Sequence, residues 1–289
     1  MKPLLLAALL LFGAPLAAQE SSIFPKLSPH GCVSQTIGTT TVSVDFHRPG
    51  VRGRKIWGDL VPYGQVWRTG ANEATTIRFS DAVKVNGSPV PAGTYALFTI
   101  PGPEQWVVIL NKRWRQLGAY EYQAKDDVLR FQAKPRTLSS FTEWLSYEIE
   151  PASRSSAYVD FLWEKLRVSF LVEVDVDSLV ATQMKRAIAK AGPGDWKLYA
   201  DAALYYLEQN TQLEQALSWA EKSIRIQENP TNLFVKGRLQ RELGHLGPAL
   251  TTLEKALKVA KSQNALGSVT GPIQQSLDEW RRVQGLNGH

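Results

Sequence analysis

TYALFTIPGPEQWVVILN, residues 94–111, decides the fold class of the first half of this chain. Two short runs rich in β-branched and aromatic residues flank Pro101-Gly102-Pro103-Glu104, a tetrad of turn formers. They read as two antiparallel strands. The pattern continues on both sides. Upstream, Val42, Val44 and Phe46 alternate with Thr41, Ser43 and Asp45, and Ile77 and Phe79 alternate with Thr76 and Arg78, the period of half-buried strands. Asn86-Gly87 between AVKV and SPVPAG marks a hairpin, because both residues tolerate positive φ. Downstream, DVLRFQAK and FTEWLSYEIE repeat the alternation. In the second of these, Phe141, Glu143, Leu145, Tyr147 and Ile149 share one face, with Glu143 at its edge. AYVDFLWEKLRVSFLVEV closes the set. Seven to nine short strands with turns between them predict an antiparallel β-sandwich over residues 33–175.

After Asp177 the period changes. Residues 178–191 fit a helix that stops at Gly192-Pro193. A shift of 33 residues then aligns Leu213 with Leu246, Ala216 with Ala249, Leu217 with Leu250 and Ile226 with Val259. Glu221-Lys222-Ser223-Ile224 falls on Glu254-Lys255-Ala256-Leu257. A period near 34 with small residues such as Ala216, Gly237, Ala249 and Ala256 at helix contacts is that of tetratricopeptide-like hairpins. Asn229-Pro230 separates the units, and a last helix over residues 272–283 would cap the array. Residues 178–289 are therefore predicted to form an all-α helical-repeat region, which makes the chain α+β as two domains.

The first residues read as an address. Lys2, the apolar run from Leu4 to Leu16 and Ala17-Ala18 have the layout of a secretory signal peptide, cleaved after residue 18. The run is shorter than the roughly 20 apolar residues of a membrane span, so no anchor is expected after cleavage. Residues 19–32 read as a linker. The expected location is periplasmic or secreted.

Composition narrows the chemistry. A single cysteine, Cys32, cannot form a disulfide within the chain, and the four histidines are His30, His47, His245 and His289. No His/Cys cluster has metal-ligand spacing, so neither metal nor cofactor is expected. Formal net charge is +6. Residues 19–177 hold 18 Lys/Arg against 17 Asp/Glu, and residues 178–289 hold 14 against 10. Neither half has the field that nucleic acid requires. Lys112-Arg113-Trp114-Arg115 reads as a solvated hairpin end.

Residues 47–80, HRPGVRGRKIWGDLVPYGQVWRTGANEATTIRFS, carry the polar and aromatic side chains on which a site could be built. They form a connection much longer than the roughly 4–6 residues of an ordinary loop, and long connections are commonly functional. Disordered segments are poor in aromatics, so this one is expected to be ordered. Its motifs, Gly53-Arg54-Lys55-Ile56-Trp57-Gly58, Leu60-Val61-Pro62-Tyr63-Gly64 and Val66-Trp67-Arg68-Thr69-Gly70-Ala71-Asn72-Glu73, resemble those of the domain-of-unknown-function 2911 family of exported bacterial proteins. Arg48-Pro49 and Pro91-Ala92-Gly93-Thr94-Tyr95 extend the resemblance over most of residues 28–175. It implies an exported β domain with a helical extension, and no particular chemistry. One departure is Leu117-Gly118 before Tyr120 and Tyr122, where such sequences commonly have Trp-Gly; Trp114 could take over a stacking role.

The candidate ligand-binding residues are Arg54, Asp59, Tyr63, Trp67, Arg68, Asn72 and Glu73. Arg offers a planar fork of donors to carboxylates and phosphates, and Trp a stacking face. The structural alternative is a network in which Arg68 pairs with Glu73 or Asp59 and Asn72 braces the loop. A tight turn at Gly70 would bring Arg68 and Glu73 together. Three functions follow. The preferred one is a binding module for a small polar or anionic ligand, with the repeats docking an envelope protein. The second is a hydrolase using Asp59, Glu73 or His47, and the third a purely structural envelope scaffold. Whether the chain is an enzyme stays open, with the balance against it: there is no G-x-S-x-G elbow and no Walker loop.

Overall fold

The computed structural model describes residues 24–263 and 269–286. The signal peptide expected at 1–18 lies outside the described residues. Contacts divide the chain into two compact units, Met1–Asp175 and Val176–His289.

The first unit is built from two antiparallel sheets. Among the described residues, ten strands run in chain order as β1 (His30–Ile37), β2 (Thr40–His47), β3 (Thr76–Phe79), β4 (Val83–Val85), β5 (Ser88–Val90), β6 (Gly93–Ile100), β7 (Trp106–Asn111), β8 (Asp127–Ala133), β9 (Arg136–Ser153) and β10 (Ser156–Glu173). The larger sheet has the order β1-β2-β3-β6-β7-β8 and the smaller β5-β4-β10-β9. The runs that opened the sequence reading pair as expected, Ala96 opposite Asn111 through Ile100 opposite Val107. Asn86 and Gly87 turn the β4–β5 hairpin with φ of 46° and 80°.

These strands are buried on both faces. Leu97, Thr99, Trp106 and Val108 meet Tyr147, Phe161, Val168 and Phe170 of the smaller sheet. On the other face Ala96, Phe98 and Ile109 are covered by Val66, Trp114, Ala119 and Tyr122. That is why residues 94–111 read as near-continuous apolar runs and not as a clean alternation. Each such side chain contributes roughly 1.5–3 kcal/mol when fully buried.

Three expectations need correction. β1 begins at His30, so His30, Gly31 and Cys32 belong to the sheet and not to a linker reaching residue 32. β9 and β10 are 18 residues each, where short strands were expected. Register shifts around Glu164, which has φ of 56°, break their period-two pattern and hide their length. Phe141 is 52 % exposed instead of sharing the buried face of Leu145, Tyr147 and Ile149, because it lies beyond that irregularity.

The second unit contains α1 (Val176–Ala189), α2 (Trp196–Glu208), α3 (Leu213–Ile226), α4 (Pro230–Glu242), α5 (Leu246–Ser262) and α6 (Thr270–Leu286). Asn229 caps α4: its side chain accepts from Asn232 N at 3.1 Å, and its own N–H donates to Asn232 Oδ1 at 3.1 Å. Pro230 at the first turn needs no donor partner there. Ala216, Ala249 and Ala256 are fully buried. A Cβ on Gly237 would come within 2.5 Å of the Leu253 side chain, so a larger residue there would force the fully buried Leu253 to shift. These are antiparallel helical hairpins packed through small residues.

Candidate functional site

The connection from the end of β2 to the start of β3 is ordered by pairing at several points. Leu145 N donates to Pro49 O at 3.0 Å and Val51 N to Glu143 O at 2.9 Å. Trp67 and Thr99 exchange backbone bonds of 2.8 and 2.9 Å, and Ala74 N donates to Gln116 O at 3.0 Å.

Within it, residues 67–74 carry unusual backbone. Thr69 and Asn72 have φ of 52° and 57°, a region that a β-branched residue enters only when its surroundings impose it. The Thr69 carbonyl accepts from buried Tyr147 Oη at 3.0 Å and from Thr75 Oγ1 at 3.0 Å. Thr69 Oγ1 is 3.1 Å from Thr99 Oγ1. Gly70 sits so close that a Cβ would lie 2.7 Å from Thr75 Oγ1 and 3.2 Å from the His47 carbonyl. Burial raises the Tyr147 phenol far above its ordinary value, so it stays a hydrogen-bond donor.

This bent segment borders two clefts. The first, of about 360 Å³, is lined by Arg52, Arg54, Arg68 and Asn72, by Trp67, Trp163, Leu27, Leu60 and Val61, and by neighbouring small residues and prolines. Among the described residues no carboxylate is in its lining. Arg54 is oriented by Nη2 to Gly50 O at 2.6 Å and Nε to Val51 O at 3.1 Å. Arg52 donates through Nη2 to Leu27 O at 2.7 Å, and Asn72 Nδ2 to Ser28 O at 3.3 Å. Arg68 Nε is buried with no hydrogen-bond partner among the described residues. Burial lowers its pKa, with Tyr120 opposing, yet a guanidinium stays charged throughout the working range. Beneath the cleft, Trp67 stacks on Trp163 at 5.9 Å and 19°, and Trp57 packs edge-on against both.

The second cleft, of about 860 Å³, lies against the outer face of the larger sheet and includes Glu73 and Ala74. Glu73 pairs with Lys26 at 3.0 Å and with His47 Nδ1 at 3.3 Å. Burial pushes the Glu73 carboxyl up, but its backbone hydrogen bond, Lys26 and His47 together hold it below the ordinary value. Burial drives His47 the other way for its type, below its ordinary value, against the pull of Glu73.

Of the expected site residues, Arg54, Trp67, Arg68 and Asn72 therefore meet in one cleft. Glu73 faces the other, so the turn at Gly70 separates it from Arg68 instead of joining the two. Asp59 and Tyr63 are exposed on the surface loop and line neither cleft. Trp114 is no open platform: it packs on the Phe98 cluster, and the Arg115 guanidinium lies 4.5 Å over its ring. Arg52, Arg78 and Gln116 were not singled out from sequence. Gln116 is set apart by its burial, and the exposed Arg52 and Arg78 only by the clefts they line.

The fold and its clefts define a two-sheet β domain whose long β2–β3 connection carries an arginine-rich pocket, followed by helical hairpins. The chain belongs to the family described as "protein of unknown function (DUF2911)", whose model matches residues 28–172. No curated protein and no solved structure matches the chain.

Proposed function

We propose that this is an exported binding protein whose β domain holds a small organic anion in the arginine cleft. The carrying observation is Arg68. A half-buried guanidinium has a buried donor with no acceptor among the described residues, in a cleft whose described lining holds two further arginines and no carboxylate. Leaving such a donor unmade is costly, and a carboxylate or phosphate from outside would satisfy it. The apolar wall of Leu27, Leu60, Val61 and Trp67 suits a ligand with an apolar body, and the volume suits a small one. The strained Thr69 and Asn72 beside it fit the tendency of such backbone to gather at binding sites.

Calorimetric titration of the full chain with benzoate, acetate and inorganic phosphate tests this. Arg68→Lys should weaken the best of them about tenfold, since a point charge does not replace the planar fork. Arg68→Ala should weaken it further. Equal binding to wild type and both variants would rule the reading out.

The export rests on the N-terminal pattern, and an N-terminus near Gln19 on native protein would support it. Among the described residues no helix is long and apolar enough to cross a membrane. The helical hairpins offer surfaces for a protein partner, tested by pull-down with the full chain as bait. The hydrolase reading keeps His47 and Glu73 in contact, but without Asp59 it has no second carboxylate from this loop.

A further inference from the structure

We propose that the cleft on the outer face of the larger sheet is a second binding site, for a small anion that carries an N–H or O–H donor beside its charge. The carboxyl end of an acylated amino acid and a polyol phosphate share that chemistry.

Strand register builds the floor. Cys32 stands opposite Asp45, and Asp45 opposite Thr76. Arg78 stands between Ser43 and Thr94. Directly opposed side chains share a face, so these residues form one polar surface. The wall is the loop after β7, which contributes Trp114, Arg115, Gln116, Leu117 and Glu121. It is pinned by Arg113 N to Asn111 Oδ1 at 2.9 Å and by the bridge between Glu73 and Leu117.

The charges sort themselves. Every carboxylate of the lining is already engaged: Asp45 with His30 at 2.9 Å, Glu73 with Lys26 and His47, and Glu121 with Arg113 at 2.9 Å. Arg78 and Arg115 have no carboxylate partner among the described residues, and Arg115 rests on Trp114. Free positive charge therefore faces the cleft and calls for an anion.

Gln116 adds the second requirement. It is only 8 % exposed, its Nε2 donates to the Arg113 carbonyl, and its Oε1 is buried with no partner among the described residues. The Arg113 carbonyl fixes which end of the amide is which, because flipping it would set two acceptors against each other. A buried acceptor without a donor is uncommon in folded proteins. A ligand with an N–H or O–H near its charge supplies what Gln116 lacks. The greater volume, about 860 Å³ against about 360 Å³, admits a larger ligand than the arginine cleft does.

The full chain is titrated by calorimetry with N-acetylglycine, with N-acetylsarcosine, which lacks the N–H, and with glycerol 1-phosphate. N-acetylglycine or glycerol 1-phosphate should bind about tenfold more tightly than N-acetylsarcosine, the worth of one hydrogen bond at a buried group. The tighter of the two identifies the source of the anion. Arg78→Gln should weaken binding about tenfold, Gln116→Met should erase the preference over N-acetylsarcosine, and Arg68→Ala should leave that preference intact. Arg78 is exposed and unpaired, so its variant keeps the test sound even where Gln116→Met does not fold. No binding of either probe, binding indifferent to Arg78→Gln, or a preference over N-acetylsarcosine that vanishes in Arg68→Ala would overturn the assignment.

Discussion

The two clefts share residues 67–74 as a common border and differ in what each is missing. Among the described residues the arginine cleft has a surplus of donors: three guanidiniums, one with a buried unpartnered Nε, and no carboxylate to receive them. The sheet-face cleft has its carboxylates already engaged and a buried amide oxygen without a donor among the described residues. Residue types alone do not separate them, since both mix Arg, Trp and Leu. The partner count of each buried polar atom does, and it assigns the first cleft a plain anion and the second an anion with a donor attached.

The largest effect expected from breaking this comparison lies under the arginine cleft. Trp163 is 1 % exposed, lines that cleft and stacks on Trp67. Trp163→Ala should cost ~3–5 kcal/mol of stability. In chemical denaturation this appears as a lower midpoint. Benzoate binding should fall while N-acetylglycine binding survives at temperatures where the variant is folded; parallel loss of both would mean the clefts are not independent.

Gly70→Ala comes next. The added Cβ meets Thr75 Oγ1 at 2.7 Å and the His47 carbonyl at 3.2 Å, so one of them must shift. Overpacking of this kind costs ~1–3 kcal/mol. Because Gly70 is the pivot of the shared border, both ligands should bind more weakly, in contrast to Trp163→Ala. An unchanged melting temperature would contradict the packing described.

A smaller, pH-dependent effect sharpens the sheet-face side. His47 titrates below its ordinary 6.5 in the folded state, chiefly through burial, with Glu73 opposing. The unfolded chain then binds more protons than the folded one in the window just below 6.5. Stability should therefore fall as pH drops through that window. Glu73 is held below its ordinary 4.5, so its contribution is lost only further down, as pH falls through its folded value. Melting curves of His47→Gln should lose the first decline and keep the second. A melting temperature that rises as wild type is acidified from 6.5 would give the wrong sign.

Much of this was legible in the sequence. Thr94 to Ile100 and Trp106 to Asn111 announced a β hairpin through their composition and the turn between them. Asn229-Pro230 marked the break between helical units, and the structure shows that Asn229 caps α4 there with Pro230 in its first turn. Crowding of Trp67, Arg68 and Asn72 in one short stretch pointed to the arginine cleft. What stayed hidden depends on backbone that local propensity does not reveal. Thr is a poor left-handed residue, so nothing predicted φ of 52° at Thr69, yet that bend sends Arg68 and Glu73 to different clefts. The irregularity in β9 and β10 erased the alternation that would have shown their length. Gln116 carries no signal until its burial is known, because a glutamine in a polar loop is ordinarily solvated.

The most direct measurement is on the Arg68 side chain itself. In nitrogen-15-labelled protein, the Nε–Hε resonance of Arg68 reports whether that donor is bonded. Saturation with the best-binding of benzoate, acetate and phosphate should shift it downfield and slow its exchange with water, while N-acetylglycine at matched occupancy of the sheet-face cleft leaves it in place. Saturation with the best-binding of benzoate, acetate and phosphate that leaves Arg68 Hε unmoved would contradict the account.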